Sequence, residues 1–382
     1  MTDLNSWQRL AKEQPLLAAS WIDGRPYTAL AGSTFSVINP ATNALLAKVS
    51  ACSDADVDHA VRAARSSYER GPWARMQPKE RKAILLRLSD LILANRAELA
   101  LLDSLSMGKP VMDAYTIDVP GAAQVFAWYA ESLDKLYDQV APTGPGTLAT
   151  ITRVPLGVIA AVVPWNFPLD MAAWKLAPAL AAGNSVILKP AEQSPFSALR
   201  LAELAVEAGI PNGVFNVVTG LGERAGRALG LHPDVDALAF TGSTQVGKYF
   251  MNYSAQSNLK QVWLECGGKS PNLVFADCED LDLAAEKAAF GIFFNQGEVC
   301  SANSRLLVER SIHDEFVERL QEKARHWQPG DPLDPTSKVC ACPAKKSSAR
   351  CWRSQPSTTK TMPCRWPMTI SMGWRRRSGA TT

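Results

Sequence analysis

Gly157-Val158-Ile159-Ala160-Ala161-Val162-Val163-Pro164-Trp165-Asn166-Phe167-Pro168 opens the part of the chain that decides its fold. The apolar run 158–163 has strand length, shows no polar alternation and ends at Pro164, which predicts a strand covered on both faces. A helix around 171–182 follows, stopped by Gly183. The same alternation continues with a strand at 185–188, a helix at 197–208, a strand at 214–218, a helix after Gly222, a strand at 237–240 and a helix from Thr244. Strand and helix units joined by short connections predict an α/β fold built on a parallel sheet. Ligands of such sheets sit beyond the carboxyl ends of the strands. Lys189, Thr219-Gly220 and Thr241-Gly242 lie at those ends.

Upstream, Trp21-Ile22-Asp23-Gly24 and Phe35-Ser36-Val37-Ile38-Asn39-Pro40 read as the start of a short hairpin, with Asn39-Pro40 marking a turn. Ser53-Asp54-Ala55-Asp56 precedes an amphipathic stretch, and Ile84, Leu85, Leu88, Leu91 and Ile92 recur with helical spacing, a core-packing pattern without chemistry of its own. Val140-Ala141-Pro142-Thr143-Gly144-Pro145-Gly146 is a turn-rich break flanked by short strands.

With 382 residues, two or more domains are expected. The chain shows neither a basic-then-apolar N-terminus nor an apolar run of membrane-spanning length, so a cytoplasmic protein without membrane partners is expected. The net charge of +3 is unevenly placed: nine Lys or Arg and no acid lie in 339–382, and subtracting those nine leaves −6 for the rest. A mildly acidic body gives no support for nucleic-acid binding.

Two glycine-rich segments bear on phosphate. Gly242-Ser243-Thr244-Gln245-Val246-Gly247-Lys248 nearly spells a P-loop, but Tyr249 stands where a magnesium-binding hydroxyl is required, which argues against an ATPase. Gly220-Leu221-Gly222-Glu223-Arg224-Ala225-Gly226 misses the usual dinucleotide spacing by one residue. Either alone reads as a structural turn; their joint occurrence after consecutive strands points to a nucleotide.

Three further segments carry chemistry. Val163-Pro164-Trp165-Asn166-Phe167-Pro168 offers a side-chain amide, Leu264-Glu265-Cys266-Gly267-Gly268-Lys269-Ser270-Pro271 a carboxylate, and Phe294-Asn295-Gln296-Gly297-Glu298-Val299-Cys300 a thiol. Together they suit covalent chemistry on a carbonyl, since a thiol adduct of an aldehyde carries a transferable hydride beside an oxyanion and leaves an easily hydrolysed thioester. None of the four histidines has a recognisable catalytic setting, so a Cys-His pair is not expected. Gly267-Gly268 permit close backbone approach beside Glu265, and partial burial there would suit that carboxylate to general-base work. Cys266 and Cys278 lack such context and read as inert. The tail cysteines Cys340, Cys342, Cys351 and Cys364 lack both a Cys-x-x-Cys pair and a nearby His, so no metal site is expected.

These segments, in this order and at these separations, resemble the NAD(P)-dependent aldehyde dehydrogenase superfamily over about residues 21–335. The resemblance implies an aldehyde dehydrogenase-like α/β fold: a Rossmann-type parallel-sheet NAD domain (1–134 and 154–262), an oligomerisation excursion (135–153), an incomplete catalytic domain (263–335) and an aberrant tail (336–382) expected to be disordered. It implies NAD as cofactor, with Gly242, Ser243, Val246 and Gly247 at a helix N-terminus near the pyrophosphate, Gly222 and Gly226 in the neighbouring turn, and Val163 and Trp165 lining the cleft. Lys189 and Glu192 match the residues that hold the adenosine ribose, and a carboxylate there favours NAD over NADP. Cys300 matches the nucleophile and Glu265 the base for the hydrolytic water. Asn166 matches the oxyanion donor, acting with the backbone N–H of Cys300, and Lys175 a lysine near the water path. Cys266 departs from the family's usual Leu.

Trp128-Tyr129-Ala130-Glu131 and the region 262–305 look most like the bacterial branch that oxidises γ-glutamyl-γ-aminobutyraldehyde in polyamine catabolism, with betaine aldehyde and other aminoaldehydes as competitors. The expected partners are thus a small-molecule aldehyde and, as in the family, further copies of the chain in a dimer or tetramer. The tail departs most. Shifted by one base, Met362-Pro363 and Trp366-Pro367 both become Ala, Met368-Thr369 becomes Asp and Met372-Gly373 becomes Gly, and the stretch is compatible with sequence of the family's C-terminal third. A frame shift near 335–339 is therefore expected, with loss of the family's second acidic motif. Two functions stay open: NAD-dependent oxidation of an aldehyde, and a catalytically dead, truncated remnant that at most binds nucleotide or an intact subunit.

Overall fold

The computed structural model describes residues 3–341 of the chain. Its centre is a sheet of five parallel strands in the order Gln261–Cys266, Ala237–Gly242, Val158–Val162, Ser185–Lys189 and Phe215–Val217. Ser20–Ile22 and Arg25–Tyr27 extend it antiparallel, through the pairing of Trp21 with Val217. Val158–Val162 and Ser185–Lys189 are buried at every position, as expected of strands covered on both faces.

The period-two alternation of a strand sends successive side chains into different cores. Ile159 and Ala161 join a larger core with Leu85, Phe126, Leu176 and Leu199, from the helices Pro78–Ala94, Val119–Ser132, Pro168–Ala181 and Phe196–Ala208. Val158, Ala160 and Val162 join a second core with Val57, Val61, Leu238 and Phe250, from Asp54–Arg70, Ala237–Gly242 and Thr244–Ala255. Local signals set the helix ends. Pro168 occupies the first turn of its helix, Ser53 and Asp56 form a capping box, and Gly209 adopts φ 102 just past Ala208, where a side chain would be strained.

The N-terminal hairpin expectation needs correction. The segments around Trp21 and Phe35 belong to different hairpins: the first joins the main sheet, while Thr34–Ile38 pairs with Leu45–Ser50 across the turn that begins at Asn39. Gln139–Ala141 and Ala149–Ile151 form an exposed hairpin at the expected excursion. After Cys266, Pro271–Val274 and Arg305–Val308 pair in parallel, and the helices Leu281–Phe293 and His313–Ala324 pack on them around Val274, Ala285, Ala288 and Phe316.

The boundary drawn at 335 is not an end of regular backbone, because Val339–Cys340 pairs in parallel with Pro329–Gly330 and both residues are buried. The frame-shift reading of 342–382 lies outside the described residues. Among the described residues, no helix is long and apolar enough to cross a membrane.

Candidate active site

Val158–Val162 is the first parallel strand in the sequence and has later strands on both flanks, so the winding reverses beside it. A crevice opens at the carboxyl ends of strands at such a reversal. Val163, Trp165 and Asn166 follow this strand, and Gly242 and Ser243 end its neighbour.

The nucleotide side is built by close approach. Val163 donates its N–H to the Lys189 carbonyl at 3.1 Å. Lys189 is 3% exposed, and its ammonium donates to the Pro190 carbonyl at 3.0 Å and to Glu192 at 3.3 Å. Burial holds its pKa below the usual lysine value, opposed by the nearby carboxylates of Glu192 and Glu223. A side chain at Gly226 would meet the Lys189 stem at 3.9 Å, which places the turn Gly222–Gly226 against it.

Ser243 caps the helix Thr244–Ala255, its hydroxyl accepting from the Val246 N–H at 3.3 Å. Residues 243–246 are exposed, so the positive end of this helix is open to an anion. A Cβ at Gly242 would lie 2.5 Å from the Phe240 ring, and one at Gly247 would lie 3.2 Å from the Cys266 sulfur. Glycine at both positions lets the helix start tight against the sheet.

The chemical side meets it at Asn166. The Asn166 side-chain amide donates to the Glu298 carbonyl at 2.5 Å, and the Asn166 backbone carbonyl accepts from the Asn295 side chain at 2.9 Å. This reciprocal clamp holds Asn166 against the loop that ends in Cys300. An amide nitrogen carries two hydrogens, so Asn166 keeps one for an oxyanion.

The loop itself is strained. Asn295 (φ 48, ψ 41), Gln296 (φ 63, ψ 19) and Gly297 (φ 77) are consecutive left-handed residues. Asn and Gly tolerate this region, while a Gln there costs about 1 kcal/mol. Such strain persists only where surrounding contacts over-determine the backbone. Beyond the clamp, the Gln296 amide reaches the Met107 carbonyl at 3.5 Å, and the Phe290 and Phe294 rings stack at 5.0 Å. Asn295 and Gln296 are buried, whereas Cys300 emerges exposed with a free thiol.

The Gly268 N–H donates to the Cys300 carbonyl at 3.1 Å, which fastens the Cys300 loop just beyond the strand that carries Glu265. Lys175, on Pro168–Ala181, lies within electrostatic reach of Glu265: burial lowers the lysine's pKa and the Glu265 carboxylate opposes that effect. The partial burial expected of Glu265 is not found. Gln261–Cys266 is the outer strand of the sheet, and Glu265 is exposed along with Gln261, Trp263 and Leu264. Glu298 shows the behaviour anticipated for Glu265, because burial pushes its carboxyl up to about 8, with Lys109 opposing.

Asn295, Glu298 and Lys109 were not singled out from sequence. The clamp depends on a left-handed backbone that no composition pattern announces, although Asn-Gln-Gly is a run that favours turns.

Known proteins resemble this arrangement closely. The aldehyde dehydrogenase family profile matches residues 27–360. The Escherichia coli K12 protein described as NADP/NAD-dependent aldehyde dehydrogenase PuuC is 54% identical over 331 residues, covering 87% of this chain and 67% of that protein. The crystal structure of γ-glutamyl-γ-aminobutyraldehyde dehydrogenase from Burkholderia cenocepacia J2315 superposes with TM-score 0.87 at 54% identity, covering 88% of this chain and 68% of that one. An indole-3-acetaldehyde dehydrogenase complexed with NAD+ superposes with TM-score 0.88 at 52% identity, over 89% of this chain and 68% of that one. The chain therefore spans about two thirds of the length of these relatives. With the family profile running through the parallel sheet and the Cys300 loop alike, the chain belongs to the aldehyde dehydrogenase family.

Proposed function

We propose that the chain oxidises an aldehyde to the carboxylic acid with NAD, through a thiohemiacetal and a thioester on Cys300, and that the substrate is an aminoaldehyde. The observation that carries this reading is the clamp between Asn166 and the loop 295–298, which fastens an amide donor to the loop that runs on to the exposed Cys300.

The nucleotide side suits NAD. Ser243, Val246 and Gly247 would hold the pyrophosphate at the helix start, Gly242 allows close approach, and Lys189 with Glu192 would hold the adenosine ribose. Val163, Trp165, Gly222 and Gly226 would form the walls of the cleft. A relative of the same fold is described in complex with NAD+. When bound, NAD supplies the hydride acceptor.

This chain's residues do the remaining work. The Cys300 sulfur bonds to the aldehyde carbon, and the spare Asn166 hydrogen and the Cys300 backbone N–H donate to the oxygen that becomes an oxyanion. Once the carbon is at the thioester level, Glu265 takes a proton from water. The hydroxide adds to the carbonyl, the carbon–sulfur bond breaks, and the Cys300 thiolate is restored. Lys175, within electrostatic reach of Glu265, would steady that carboxylate between turnovers.

The aminoaldehyde assignment follows relatives whose descriptions name aminoacetaldehyde and γ-glutamyl-γ-aminobutyraldehyde as substrates. In this reading 1–134 and 154–262 form the cofactor domain, 263–335 the chemical domain, and 135–153 the element that joins subunits. The test is NADH formation from γ-glutamyl-γ-aminobutyraldehyde and shorter aminoaldehydes, with NADP in parallel. Turnover abolished by Cys300→Ser supports the proposal. Folded protein that binds NAD without turnover would overturn it in favour of a nucleotide-binding remnant.

A further inference from the structure

Beneath the Asn166 turn lies a buried cation that the chemistry above does not use. Lys109 follows the helix Arg96–Met107 and the left-handed Gly108 (φ 81), a turn that sends the lysine into the interior, where it is 0% exposed. Its ammonium pairs with Asp118, itself 1% exposed, and stands 4.1 Å from the centre of the Phe167 ring.

Phe167 is the residue after Asn166, and its ring packs at 6.4 Å on Phe294, where the strained loop begins. The same segment gives the loop a second support, the Met107 carbonyl that receives the Gln296 amide. Glu298, whose carbonyl holds the Asn166 side chain, lies in the field of Lys109. The lysine and its neighbours therefore touch both arms of the clamp.

Stability alone gives a weak reason for this pair. Desolvating two ions costs several kcal/mol, and an apolar pair of similar volume is often as stable or more so. The charges around Lys109 are also unbalanced, since Asp103, Asp113, Asp170 and Glu298 all lie within its field besides Asp118. Burial pushes those four up to about 7, 6, 6 and 8, so at neutral pH Glu298 keeps its proton while Asp113 and Asp170 stay mostly ionised and add to the negative charge around Lys109. Asp118 is the carboxylate in direct contact with the ammonium.

We propose that Lys109 is a positioning residue for aldehyde oxidation: with Asp118 as counter-ion, its ammonium fixes Phe167, and through it Asn166, against the strained loop that presents Cys300. The proposal rests on the aldehyde-oxidation reading, so its test includes a readout that needs no turnover.

Two variants of the full chain carry the test. Lys109→Met with Asp118→Asn removes both charges of the contacting pair together. Phe167→Leu keeps the ion pair and most of the apolar bulk but removes the ring face, and serves if the first variant fails to fold. Hydrogen–deuterium exchange is read over 294–300 and over the strands at 158–162 and 185–189. The expected result is exchange about tenfold faster in 294–300 with the strands unchanged. With it, kcat for aldehyde oxidation falls about a hundredfold, the loss expected of misplaced reacting groups. The KM for NAD stays within about twofold.

Native exchange in the loop, or acceleration spread equally over loop and strands, overturns the proposal; so does an unchanged kcat. If the unaltered chain makes no NADH, the functional reading falls separately. Loop-confined exchange then still upholds the positioning role, and its absence still overturns it.

Discussion

Two strands of one sheet carry the two halves of the site under opposite conditions. Val158–Val162 is buried at all five positions and leads into Val163, Trp165 and Asn166. Gln261–Cys266, two strands away at the edge, is exposed at four of its six positions and carries Glu265. The crevice beyond Val162 is thus fixed by fully covered strands and glycines that only small backbone can satisfy, whereas Cys300 and Glu265 hang on a few specific contacts. Leu273, Phe275, Leu283 and Phe290 on the Cys300 side are all exposed, which adds to the contrast. A covered sheet positions by bulk; an edge segment positions by individual hydrogen bonds, and its geometry is correspondingly easier to break.

The largest break is expected at the thiol. Cys300→Ser should lower NADH formation roughly 10^4-fold or more, as losses of a covalent nucleophile do. NAD affinity, measured by calorimetry, should stay unchanged, since the two halves are held separately. Asn166→Ala should cost about 10^2–10^3-fold in kcat. It should also loosen exchange over 295–298, because the Glu298 carbonyl loses its donor.

Breaking the nucleotide side needs only one carbon branch. Gly242→Val would push side-chain atoms into the Phe240 ring. It should destabilise the fold by about 1–3 kcal/mol, read by denaturant titration, and weaken NAD binding.

The smallest effect is a pH dependence at Glu298, whose carboxyl is raised to about 8 in the fold. The folded state then holds a proton that the unfolded chain releases at the ordinary carboxylate pKa, so this residue's contribution falls as pH rises from that range through about 8. Glu298→Gln stays neutral throughout. Its Tm should match the parent's near pH 4, where both forms are neutral, and exceed it above about pH 8.

What could be read from the residues follows the same contrast. Apolar runs of strand length between helical periods announced 158–162, 185–189, 215–217 and 237–242, because covered parallel strands write their environment into composition. Gly242 and Ser243 were legible as a helix start, Lys189 as the carboxyl end of a strand and Glu192 as a residue beyond it. The edge exposure of Glu265 was not legible, since position in a sheet depends on strand order, which no local pattern encodes. Nor was the clamp of Asn166 with Asn295 and Glu298, which joins residues 129 and 132 apart in sequence. The pairing of Lys109 with Asp118 depends on Gly108 turning the chain inward, and a glycine before a lysine carries no such message alone.

The account's central claim is that Cys300 carries the substrate as a thioester while Glu265 releases it. The most direct measurement is intact-protein and peptide mass spectrometry of Glu265→Gln after mixing with NAD and γ-glutamyl-γ-aminobutyraldehyde, with NADH counted in the same sample. The account predicts close to one NADH per chain, an acyl group on the peptide containing Cys300, and little further turnover. NADH production without an adduct on Cys300, or an adduct on another cysteine, would contradict it.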